Sequence, residues 1–275
     1  MIVNEKKGFL KTTGANIYFE SKGIGESLLF IHTGIADCRM WEREFHSLAE
    51  HFHVIRFDLP GYGLSEFTGG SFSYIHIINA LLEYLNISKV HILATSFGGK
   101  IAIDFALANQ DKCLSLALGS PAISGWKASQ YLQDYEAEEK RLFKEATLEE
   151  VANYNFDMWI LQKRHPNSID SSIKDLVIDM QMKSFTKPEP NYPCEEIEEE
   201  ENLSRIANIK IPVLIIIGDQ DVEDFQKIAD YICCEISSAN KAIIKNAAHL
   251  VNLEYPILFE EIILNFFLHS ICRAE

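Results

Sequence analysis

Val90-His91-Ile92-Leu93-Ala94-Thr95-Ser96-Phe97-Gly98-Gly99-Lys100 decides how the rest of the chain is read. Val90 to Ala94 is a short apolar run, the length and composition of a buried strand. From Lys100 to Ala108 apolar side chains return at helical spacing. Ser96 stands between the two, with small Ala94 two residues before it and Gly98 two after. Small residues at both positions suit a backbone that crosses close to itself and lifts the serine out of the sheet on a tight turn. The competing reading is an ordinary strand-to-helix turn in which Ser96 caps the helix.

Outward from this stretch, strands and helices alternate. Toward the N-terminus, Ser73 to Leu85 carries a helical apolar stripe, and Phe52 to Asp58 reads as a strand. Arg39 to Glu50 reads as a helix, and Leu28 to Ile31 is an apolar run suited to a strand buried on both faces. Gly8 to Thr13 and Ala15 to Glu20 alternate polar and apolar around Thr13-Gly14, as a hairpin does. Toward the C-terminus come a strand at Cys113 to Leu118, a strand at Ile211 to Ile217 and a helix over Val222 to Cys234. A last strand covers Lys241 to Lys245, and a closing helix runs from Pro256 to His269. Such alternation predicts an α/β fold with a mostly parallel sheet flanked by helices. Between Pro121 and about Asn208 the rhythm stops, and the segment is helical, aromatic and charged. The organisation expected is a core of residues 1–120 and 209–275 with an inserted helical cap, or lid, at 121–208.

A serine hydroxyl is a poor nucleophile unless a base takes its proton, a third group orients the base, and donors meet the oxyanion. Five segments bear on that need. They are Ala94-x-Ser96-x-Gly98; Gly218-x-x-Asp221 at a strand end; Ala247-Ala248-His249, followed by Glu254-x-Pro256; His32-Thr33-Gly34-Ile35; and Asp58-x-Pro60-Gly61-x-Gly63-x-Ser65. Together, and in their order along the chain, they resemble the α/β-hydrolase family, in its serine-nucleophile branch with a helical cap. Two departures stand out: Ala94 takes the first glycine position of the elbow, and Thr33 takes a glycine position of the loop after the first buried strand. The resemblance implies an eight-stranded, mostly parallel α/β-hydrolase sheet, a catalytic triad of Ser96, Asp221 and His249, and oxyanion amides at Gly34 and Phe97. It gives His32 a bracing role and Asp58 to Ser65 a loop-shaping one. Asp219 and Asp224 remain rivals for the acid, and Asp221 could instead cap the following helix. Trp126 and Trp159 would line an acyl pocket, although aromatic residues belong to cores more often than to pockets.

Composition narrows the partners. The formal net charge of -15 opposes binding to nucleic acid or to anionic membrane surfaces. Much of it lies in Glu195, Glu196, Glu198, Glu199, Glu200 and Glu201, a run that reads as a solvated loop or helix face. The first residues lack the apolar core of a signal peptide, and no run has the length of a membrane span. Cys38, Cys113, Cys194, Cys233, Cys234 and Cys272 have no metal-ligand spacing, which fits reduced thiols in a cytoplasmic protein. No cofactor and no metal are expected. The partner expected is a small-molecule substrate, with a homodimer left open. The leading expectation is hydrolysis of a small neutral or cationic ester. Carbon–carbon bond hydrolysis by the same triad, and small-molecule sensing without turnover through a partner protein, are the alternatives.

Overall fold

The computed structural model describes residues 5–271 apart from Glu189, Asn191, Glu198 and Glu200. Strands β1 (Lys6–Thr12) and β2 (Ala15–Lys22) form the expected antiparallel hairpin. Its turn at Gly14 has φ +77°, and a Cβ there would meet Phe72 at 2.9 Å. The remaining strands are β3 (Ser27–Ile31), β4 (His53–Phe57), the short β5 (Glu66–Phe67) and β6 (Gly70–Phe72), β7 (Val90–Thr95), β8 (Cys113–Gly119), the short β9 (Cys194–Glu196), β10 (Val213–Gly218) and β11 (Ala239–Ile244). Eight of them pair in the order β1-β2-β4-β3-β7-β8-β10-β11, and β5 adds two residues beside β2. From β4 to β11 every neighbouring pair is parallel.

All six residues of β7 and of β10 are buried. Continuous apolar runs produce this because helices cover both faces of a parallel sheet. Period-two alternation divides the strands between two cores. Leu29 and Ile31 pack with helices α2 (Tyr74–Tyr84), α3 (Phe97–Ala108) and α7 (Glu223–Glu235). Leu28 and Phe30 face Trp41, α1 (Glu42–Ser47) and α9 (Pro256–Ile271). Between β8 and β10 run α4 (Gln130–Glu145), α5 (Leu148–Phe156), a π-helical turn at Asp157–Leu161 and α6 (Ser171–Phe185). The four-residue α8 (Val251–Glu254) precedes α9.

Two expectations change. Arg39 to Glu50 is a six-residue α-helix between two 3-10 turns rather than one helix, the first turn capped by the Asp37 side chain. The acidic run is neither helix nor plain loop at its start: Cys194–Glu196 pairs in parallel with Gly70–Phe72, and Glu199 accepts a hydrogen bond from Ser73 Oγ at 2.9 Å. Glu198, Glu200 and Cys272 lie outside the described residues. Among the described residues no helix is long and apolar enough to cross a membrane.

Candidate active site

Parallel strands finish on one rim of the sheet, so the loops that follow them meet there. Ser96 follows β7 with φ 53° and ψ −117°, a conformation that costs an L-residue about 1–3 kcal/mol. Its N–H donates to Gly119 O (2.9 Å), and its carbonyl accepts from Lys100 N and Ala122 N (both 3.1 Å). The strained turn is therefore held on both sides. Gly98 is small for a reason the local sequence does not carry. A Cβ there would lie 2.4 Å from His32 O and 2.6 Å from Ile31 O, so the crowding comes from the end of β3 and not from the elbow itself.

His249 and Asp221 are both buried, and Nδ1 lies 3.0 Å from each carboxylate oxygen. An ionised carboxylate only accepts, so Nδ1 carries the proton and Nε2 keeps its lone pair. Nε2 is buried and has no hydrogen-bond partner among the described residues. Asp221 Oδ1 also accepts from Val222 N at 2.7 Å, while α7 has no side-chain cap, so helix capping does not account for this residue. The rival acids are engaged elsewhere. Asp219 accepts from Asn246 N (2.7 Å), and Asp224 from Trp126 Nε1 (3.1 Å) and Ser129 N (2.9 Å).

The small residues before His249 cross the end of β10. A Cβ on Gly218 would lie 2.2 Å from Ala247 O and 2.3 Å from Ala248 O. Glu254 accepts from Ala248 N (3.0 Å) and pairs with Arg164 (2.6 Å), whose Nη1 also donates to Asn246 O (2.6 Å). Burial pushes the Glu254 carboxyl above the usual range, and Arg164 opposes that shift. The histidine loop is thus tied to the segment after the π-helical turn.

His32 has a different environment. Its Nδ1 donates to Thr33 O (2.7 Å) and its Nε2 accepts from Leu59 N (2.9 Å), so both nitrogens hold backbone and neither is left for proton transfer. Burial lowers its pKa and keeps it neutral. Asp58 fixes the neighbouring loop: Oδ1 accepts from Cys38 N (2.8 Å), Oδ2 from Leu64 N (2.6 Å), and its carbonyl from Ser65 Oγ (2.7 Å). A side chain at Gly63 would overlap that carboxylate. Asp37, Cys38 and Asp58 approach metal-ligand spacing, but Asp37 is bound to Arg39 and both Asp58 oxygens hold backbone N–H groups.

Gly34 and Phe97 are neighbours: a Cβ on Gly34 would lie 3.7 Å from Phe97 Cβ and 3.8 Å from the Tyr62 hydroxyl. Phe97 is the first residue of α3, where an N–H has no intrahelical acceptor. Trp159 lies on His249. The ring centroids are 4.8 Å apart, and Trp159 O accepts from His249 N at 3.2 Å. Phe225, which the sequence did not single out, packs edge-on to the same imidazole at 4.3 Å. Trp126 sits further out, bonded to Asp224 and 6.4 Å from the Tyr231 ring. A groove of about 410 Å³ runs beside Asp221, between residues 219–224 and Ser129, Tyr131 and Gln162 to Arg164.

Comparisons with known proteins follow the same lines. A family model described as the alpha/beta hydrolase fold matches residues 26–256. A pimeloyl-[acyl-carrier protein] methyl ester esterase of Nitrosospira multiformis is 25% identical over 261 residues, covering 91% of this chain and 98% of that one. A 3-oxoadipate enol-lactonase of Acinetobacter baylyi is 22% identical over 249 residues, covering 87% and 88%. Among solved structures, a carboxylesterase from Bacillus subtilis superposes with a TM-score of 0.78 at 17% identity, over 97% of this chain and 92% of its own.

Proposed function

The chain belongs to the α/β-hydrolase family, and from that membership we propose that it is a serine hydrolase cleaving a small ester or related acyl compound through Ser96, His249 and Asp221. The observation that carries this reading is the state of His249: a buried imidazole with a carboxylate on Nδ1 and a partnerless lone pair on Nε2. Ser96 Oγ attacks the acyl carbon while Nε2 takes its proton. Asp221 faces the imidazolium that forms and holds its tautomer. The N–H groups of Gly34 and Phe97 donate to the developing oxyanion, an arrangement in which one donor contributes roughly 3 kcal/mol. Nε2 then protonates the departing alkoxide. Water, deprotonated by the same nitrogen, releases the acid and restores Ser96.

Residues 121–208 form the cap in this reading, and Trp159 is the cap side chain nearest the chemistry. Trp126 fastens the start of the cap to α7 and contributes to binding from a second layer. The names of the relatives, a methyl ester esterase and an enol-lactonase, both point to a bond between acyl carbon and oxygen. A chain of formal charge -15 favours neutral or cationic substrates over anionic ones.

A fluorophosphonate probe and a panel of p-nitrophenyl esters test the proposal. Labelling and turnover are expected in the wild type and in Thr95→Val, since the Thr95 hydroxyl is buried without a partner. Both are expected to vanish in Ser96→Ala. Labelling that persists in Ser96→Ala removes the nucleophile assignment. Labelling of Ser96 with no turnover of any ester shifts the reading to carbon–carbon hydrolysis or ligand sensing.

A further inference from the structure

The helices over the histidine loop contain a run of buried polar groups that ends on Trp159. Gln181 Nε2, on α6, donates to Ala152 O at 3.3 Å. Asn155 Nδ2, on α5, donates to Gln181 Oε1 at 2.9 Å. The Tyr135 hydroxyl, on α4, donates to Asn155 Oδ1 at 2.8 Å, with Glu139 Oε1 as a longer second acceptor at 3.2 Å. Trp159 Nε1 donates to the Tyr135 oxygen at 2.9 Å. Tyr135, Asn155 and Gln181 are all buried. Every link runs in the same direction, so each acceptor along the run meets a donor and the side chains share one consistent orientation. Burial keeps the phenol neutral and therefore able to donate.

The last link matters because of what Trp159 does next. Its carbonyl holds the His249 N–H, and its ring lies against the imidazole at 38°. It stands in a π-helical turn in which Gln162 N donates to Asp157 O at 2.8 Å. Such turns interrupt the regular α-helical ladder. Its indole is fixed by that one hydrogen bond, by Tyr135, whose ring meets it at 80° and stacks on Tyr154 at 5.4 Å, and by Phe225, whose ring meets it at 85°. Without the phenol oxygen, the part-buried indole N–H is left unpaired. A rotation that recovers a partner moves the ring off the imidazole.

We propose that Tyr135 is a positioning residue for His249, acting across the cap through the indole of Trp159. The reaction it serves rests on the serine-hydrolase reading above, whereas its structural part does not. The rotamer of the base is thereby set by Asp221 in the turn after β10, by the ring of Phe225, and by the three cap helices through the indole of Trp159.

The test is a double-mutant cycle read on the rate of fluorophosphonate inactivation at Ser96, well below the melting temperature. Tyr135→Phe keeps the ring and removes only the oxygen, and Trp159→Phe keeps an aromatic face and removes only the indole. Each is expected to slow inactivation about tenfold. The double variant is expected to match the slower single variant, because both changes break one link. Effects that multiply to about a hundredfold overturn the proposal, as does a wild-type rate in Tyr135→Phe, whatever happens to its melting temperature. If Tyr135→Phe does not fold, Tyr135→Leu, which likewise removes the oxygen that accepts from the indole, replaces it in the cycle with the same expectations.

Exchange of the Trp159 indole proton, followed by NMR, is the second readout. It is expected to be protected in the wild type and fast in Tyr135→Phe, and equal protection in both overturns the proposal without reference to catalysis. Failure of the wild type to react with the probe, with the indole still protected, counts against the hydrolase reading alone.

Discussion

The loops after β3 and after β11 each bury a histidine at the same rim of the same sheet, and the two rings, alike in tautomer, differ in what their Nε2 atoms meet. His32 is held at both nitrogens by backbone, donating from Nδ1 and accepting at Nε2. His249 is held at Nδ1 by a carboxylate and at its own N–H by Trp159 O, and Nε2 is left over. Burial is the same in both, so burial does not identify a base. The unmatched lone pair beside an anion is what singles out His249 in the proposed mechanism. His91 makes the same point away from the rim, where Ser115 and Glu26 take its two nitrogens.

The largest effects test that contrast head-on. Ser96→Ala and His249→Gln should each lower ester turnover about 10⁴- to 10⁶-fold, with the two together no worse than either alone. His32→Gln should keep turnover within roughly tenfold, because Gln still offers an acceptor to Leu59 N. Turnover is measured on the best p-nitrophenyl ester of the panel. A His32→Gln variant as inactive as His249→Gln would erase the distinction between brace and base.

The acids sharpen it next. Asp221→Asn places an amide opposite Nδ1, and an amide N–H there turns the ring to the tautomer with a proton on Nε2. A loss of about 10³- to 10⁴-fold is expected, with the fold intact. Asp219→Asn and Asp224→Asn should stay within a few-fold of wild type, since their partners are Asn246, Trp126 and Ser129. Equal losses at 219 and 221 would reopen the choice of acid.

A third variant joins the two loops' neighbourhoods. Gly98→Ala puts a methyl 2.4 Å from the His32 carbonyl. The elbow or the His32 loop must move, at about 1–3 kcal/mol in stability. Thermal melts should show the loss, and turnover should fall with it. A neutral result would mean that the rim is looser than its contacts imply.

What the sequence could carry follows from how local each constraint is. The strands of the rim are short apolar runs, and their loops keep small residues next to the chemistry, as at Ala94, Gly218, Ala247 and Ala248. A close backbone approach leaves that trace on the composition. Gly63 and Asp58 likewise explain each other within six residues. Other constraints are long-range and leave little trace. Gly98 is crowded by β3, some sixty residues earlier. Gly70–Phe72 meets Cys194–Glu196 across a wide separation, in strands too short for a period to show. Arg164 reaches Glu254, and Tyr135 reaches Trp159, through helix packing that no spacing rule supplies. One sign was present in α5: Asn155 falls among the buried positions Val151, Ala152 and Phe156, and an amide on an apolar stripe needs a buried partner.

The smallest expected effect is the most specific to His32. Burial lowers its pKa in the folded protein below the ordinary value of about 6.5, so the folded chain resists a proton that the unfolded chain accepts. The unfolded state then binds more protons as pH falls through 6.5, and stability must rise with pH across that range and be lost below it. The loss grows as pH falls further below 6.5, for as long as the folded ring stays neutral. His53 and His91 are shifted the same way by burial, whereas Glu44, pushed up to about 8 by burial, acts oppositely by losing stability as pH rises. The slope of the wild type therefore mixes several groups, and the difference between wild type and His32→Gln isolates one. Urea melts at pH 5.5, 6.5 and 7.5 should give a gap between the two proteins that narrows, or reverses in favour of Gln, as pH falls. A gap constant with pH would mean that the ring takes up a proton where it sits. Its Nε2 could then no longer be accepting from Leu59, and the contrast between the two histidines would lose its structural basis.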